Sequence, residues 1–268
     1  MVQSLLNSFR GTLLGPSIAS KLIHQKKTQL HWETVNQKII IDLIQNETIS
    51  EETSRVIISP NKSLIPGEII LKILPLILFF YETENLLCEQ LKRIEKNSVN
   101  FNQKIIEEVI LFRKIINLII QRKNPLLENI CKVSELTQNI HEILNRRTPL
   151  TEIKKQFQHK NVLESNYLLL SLYCFSRTPN NFKLSILQAK QFRDPVILGV
   201  TATISGAYNG YSGIPISWRL SMGLNQENNL KDEYITQLWA KWVGVDNPSA
   251  NICPLETQVI KPVKGGNF

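Results

Sequence analysis

The segment that most restricts the fold runs from Asp194 to Tyr208, where Gly199, Thr201, Ala202, Thr203, Ser205, Gly206 and Ala207 alternate with Val, Ile and Leu. Asp194-Pro195 reads as its start. A capping acid satisfies amides left without partners in the first turn, and a proline at the first helical position needs no donor. So many small side chains on one helix imply close packing by its neighbours.

Helical spacing recurs along the chain. Val2, Leu5, Leu6, Phe9, Leu13 and Leu14 fall at steps of three and four, predicting an amphipathic helix to about Gly15-Pro16, with a second segment from Ser17. Residues 32–44 repeat the pattern, and 48–66, punctuated by Pro, Asn and Ser, reads as a loop with at most short elements. Further helices are expected over 67–80, 85–96, 100–122, 125–131, 134–146 and 150–158. Residues 163–175 are apolar on most sides, which predicts a helix deep in the structure. Asn180-Asn181 resembles a cap for a helix to about Lys190, a short helix follows Ile214-Pro215, and residues 232–243 form a last amphipathic one.

No 20–50-residue period repeats and turn residues are sparse, so a solenoid, sandwich or barrel is not expected. An all-α fold, one compact multi-helix domain over 1–245 with a flexible extension over 246–268, fits best. Cys88, Cys131, Cys174 and Cys253 are widely separated and lack zinc spacing, so they read as reduced thiols, most of them buried. The first ten residues lack a secretory signal, and no stretch supplies the roughly 20 apolar residues of a spanning helix, so a cytoplasmic protein without membrane association is expected. Lys plus Arg number 31 against 23 Asp plus Glu, and the resulting +8 favours an anionic partner without identifying one.

The stretch Ala202-Thr-Ile-Ser-Gly-Ala-Tyr-Asn-Gly-Tyr-Ser-Gly-Ile-Pro-Ile-Ser-Trp-Arg219 resembles the C-terminal signature of the ADP-ribosylglycohydrolase family. Phe9-Arg-Gly-Thr-Leu-Leu-Gly15 is similar to that family's opening helix, and Leu71-Lys-Ile-Leu-Pro-Leu-Ile-Leu-Phe79 to its middle helix. The three occur in the family's order, and the likeness is greatest to a divergent cyanobacterial-type branch. The resemblance implies a compact orthogonal helical fold. It also implies hydrolysis of the N- or O-glycosidic bond at the anomeric carbon of ADP-ribose, assisted by two Mg²⁺ held by carboxylates from both ends of the chain.

The acids of that pattern are mostly missing. There is no Asp-Asp pair, and the acids where the first ligand run belongs, Glu33, Asp42, Glu47, Glu51 and Glu52, lack its setting. Asp194-Pro195-Val196-Ile197 keeps one acid of the second run, or none if Arg193 is aligned with its first position, and Ser20 or Lys21 falls near the opening-helix acid. One carboxylate cannot offset the repulsion between two divalent cations, and without metal the pKa of water stays ~15.7 instead of ~7. The expectation is therefore a catalytically degenerate homologue without a metal or other cofactor, binding an ADP-ribose-like ligand or a protein partner through the old cleft. The alternatives are an active hydrolase whose ligands have moved to Asp194, Glu68, Glu84 or another acid, and a basic helical nucleic-acid-binding protein.

The candidate ligand-binding residues are Asp194, Tyr208, Asn209 and Tyr211. Asp194 reads either as a vestigial ligand or as a helix cap worth roughly 0.3–2 kcal/mol. Tyr208, Asn209 and Tyr211 follow a glycine-rich helix end that either lines a nucleotide cleft or serves packing and capping. The pairs Glu51-Glu52 and Glu107-Glu108 read as solvated faces, and His24, His31, His141 and His159 as surface residues. Scattered basic pairs, among them Lys92-Arg93, Arg113-Lys114 and Lys154-Lys155, lack aromatic interleaving, so nucleic acid is not an expected partner.

Overall fold

Two helices from opposite ends of the chain form the centre of the fold, α1 (Leu5–Lys21) and α12 (Pro195–Asn209). The computed structural model describes residues 4–21, 31–58, 65–97, 101–121, 126–134, 142–144, 148–157, 164–223 and 232–245. The expected C-terminal extension, most of the helix expected over 134–146, Cys253, and His24, His141 and His159 lie outside them, as does the side chain of His31. All regular structure among the described residues is helical.

Helix α12 starts where its sequence predicts. Asp194 is extended, its Oδ1 accepts from the amides of Val196 and Ile197 at 2.8 and 2.9 Å, and Pro195 occupies the first turn. The helix ends at Gly210, whose φ of 67° is left-handed and whose amide donates to the Gly206 carbonyl at 2.7 Å. Every residue from Val196 to Ala207 is buried, as expected of a helix with no polar face.

The small residues of α12 are where α1 lies. A Cβ on Gly11 would collide with the Gly206 carbonyl, and one on Gly15 would stand 2.6 Å from the Ala202 carbonyl. As α1 advances from 11 to 15, its contact on α12 retreats from 206 to 202, so the two run antiparallel. The last turn of α1 therefore lies toward the Asp194 end of α12.

Helix α1 is continuous through Pro16, where the sequence suggested a break. The proline deprives the Thr12 carbonyl of its usual donor, a defect of about 3 kcal/mol. Burial of Ser8, Phe9 and every residue from Gly11 to Ser20 offsets it. The opposite correction applies to 67–80, which is two helices, α4 (Pro66–Lys72) and α5 (Leu74–Phe79), joined at Ile73. Pro75 falls in the first turn of α5, and its ring would clash with the Leu71 carbonyl if the helix ran through.

Around this pair stand α2 (His31–Asn46), α3 (Glu51–Ile57), α6 (Glu84–Lys96), α7 (Gln103–Gln121), α8 (Leu126–Cys131), α9 (Leu150–Gln156), α10 (Tyr167–Arg177), α11 (Phe182–Lys190), α13 (Ile216–Gly223) and α14 (Asp232–Val243). The short α3 lies in the expected irregular stretch, with Ser50 Oγ accepting from the Thr53 amide. Asn181 caps α11 through the Leu184 amide. The apolar helix α10 is buried from Tyr167 to Phe175 and packs on α11 and α12. Cys131 and Cys174 are buried and Cys88 half-buried, none of them in a disulfide, and burial pushes the Cys174 thiol far up. Among the described residues no helix is long and apolar enough to cross a membrane.

Candidate functional site

The four candidate residues do not converge. Asp194 precedes α12, whereas Tyr208 and Asn209 end it, and fourteen residues of helical rise separate Asp194 from Tyr208 by about 21 Å. They belong to opposite ends of the central helix pair.

At the Asp194 end the capping hydrogen bonds engage one carboxylate oxygen. Arg193, the alternative occupant of the first acid position, adopts a left-handed conformation at φ 56°. The nearby last turn of α1 contributes Ser17, Ser20 and Lys21, and the first turn of α2 contributes Glu33. Glu33 is buried, and its carboxylate accepts from Ser17 beside the Lys21 ammonium. Burial raises its pKa, while Ser17 and Lys21 pull it back down. The same loss of solvent lowers the Lys21 pKa, against the attraction of Glu33.

The sequence does not single out Glu33 among the acids of this region, because it lacks a neighbouring acid. The available signal was its place in an apolar stripe, between Trp32 and Val35, where an isolated acid needs a partner. Asn36, one turn further along the same face, is also buried, and its Oδ1 has no hydrogen-bond partner among the described residues.

Among the described residues no three His, Cys, Asp or Glu side chains lie close enough to share a metal ion. Glu84, a proposed relocated ligand, is held by Arg113 and lies 3.8 Å from Lys114. The donors present do not fit a pair of Mg²⁺ ions, each of which requires near-octahedral oxygen coordination.

At the other end, Asn209 Nδ2 donates to the carbonyls of Pro179 at 2.8 Å and Ser205 at 3.0 Å, fastening the end of α12 to the turn before α11. Tyr208 packs edge-on against Phe175, with ring centroids 5.5 Å apart. Tyr211 opens a single 3-10 turn, Tyr211–Gly213, and its ring meets two guanidiniums, Arg10 at 4.9 Å and Arg219 at 5.0 Å. Arg10 is also bidentate to Asp232, with its Nε 2.9 Å from Oδ1. Asn7 and Ser212 exchange hydrogen bonds beside it at 2.7 and 3.0 Å.

Two of the like-charged doublets are divided in the structure. Arg113 is buried, donating to the Tyr81 carbonyl and to Glu84, while Lys114 is exposed. Glu108 is half-buried and accepts from the Tyr167 hydroxyl at 2.8 Å, while Glu107 is exposed. Both inward members lie on the side of α7 that joins the core, a direction that doublet spacing alone does not give. Arg113 is thereby withdrawn from any phosphate-facing surface.

The chain matches no family model and no curated protein.

Proposed function

We propose that this chain is a catalytically degenerate relative of the ADP-ribosylglycohydrolases, retaining their helical scaffold as a binding protein for an ADP-ribose-like ligand. The observation that carries this reading is a buried Glu33 within electrostatic reach of Lys21. Lys21 stands near the position of the family's opening-helix acid, and Glu33 belongs to the region of its first ligand run. A site for divalent cations requires carboxylates at both places. An ammonium beside a carboxylate instead supplies the positive charge from within the chain.

The packing of α1 on α12 supports the same ancestry. The glycines of Arg10-Gly11 and Gly15 meet the Ser205-Gly206-Ala207 segment and Ala202, so the stretches carrying the resemblance are structural partners. Asp194 serves as a cap, a role that needs no metal.

Calorimetry with ADP-ribose, with and without Mg²⁺, tests the proposal together with an assay for release of ADP-ribose from ADP-ribosylated protein. Binding that is indifferent to Mg²⁺, without release, is the expected outcome. Mg²⁺-dependent turnover overturns the degenerate reading, and absence of binding under either condition overturns the ligand.

A further inference from the structure

We draw no further inference here: the strongest candidate, the exposed apolar surface patch that Ile216 and Leu220 form on α13, carries nothing because nothing among the described residues shows what covers it.

Discussion

Gly11 and Gly206 meet backbone to backbone, each occupying the space that a side chain on the other would need. Gly15 repeats the contact one turn along, against the carbonyl of Ala202. The antiparallel crossing brings the beginning of the chain onto a helix almost two hundred residues later in sequence.

Alanine at Gly11 or Gly206 should therefore cost more than the chemistry of one methyl group suggests. Neither neighbouring backbone can retreat without moving a central helix, so overpacking of about 3 kcal/mol exceeds the roughly 1 kcal/mol that alanine gains in a helix. The expected net loss of about 2 kcal/mol lowers Tm by about 4–8 °C. Gly199 provides the contrast, because its added Cβ meets the end of the Leu71 side chain at 2.7 Å, which can turn aside. Thermal unfolding of G11A, G206A and G199A should rank the last as mildest, and equal losses would contradict the backbone contact.

What was legible in the sequence was mostly local. Asp194-Pro195, Asn181 and the small residues of α12 act within a turn of themselves, and their pattern gave both the helix start and its close packing. Pro16 and Pro75 carry the same local signature with different outcomes, and because the residues on both sides of each are buried, burial does not separate them. The candidate site was legible as residues but not as a place. Asp194 and Tyr208 are close in sequence but a whole helix apart, and the partners of Glu33 come from a different helix.

Asp194 is predicted to behave as a cap. Asp194→Ala should remove about 1 kcal/mol of stability, a drop of about 2–4 °C in Tm, whereas Asp194→Asn keeps the accepting oxygen and should lose under half as much. Thermal melts with and without Mg²⁺ check this. A Mg²⁺-dependent rise in wild-type Tm that Asp194→Asn removes would assign the carboxylate to a metal instead.

Glu84 is predicted to matter through Arg113. Removing one partner of a fully buried ion pair costs about 3–5 kcal/mol, because the remaining charge is left without compensation. Arg113 retains the Tyr81 carbonyl, and the Glu84 side chain is 40% exposed, so water relieves part of that penalty. Glu84→Ala should therefore lose about 2 kcal/mol. Arg113→Met removes the buried charge together with its need for a partner, and adding Glu84→Ala to it should cost much less than Glu84→Ala alone. Chemical denaturation of both single variants and the double variant measures the difference, and simple additivity would count against the pairing.

Glu33 sets a pH dependence whose sign follows from its burial. The unfolded chain releases this proton near pH 4.5, and the folded chain holds it to a higher pH because desolvation disfavours the carboxylate. Between those values the folded state binds more protons, so its stability falls as pH rises. The contribution is complete below the unfolded value and is lost through the folded one. Glu108 is shifted in the same direction by burial and acts in the same window, whereas the lowered Lys21 acts in the alkaline range below 10.5. Glu33→Gln fixes the neutral form, so the Tm of the variant relative to wild type should rise from acid toward neutral pH, and Glu33→Gln/Glu108→Gln should rise further. A difference that stays constant or narrows over that range would mean that the attraction of Lys21 and the Ser17 hydrogen bond outweigh the cost of burying the charge.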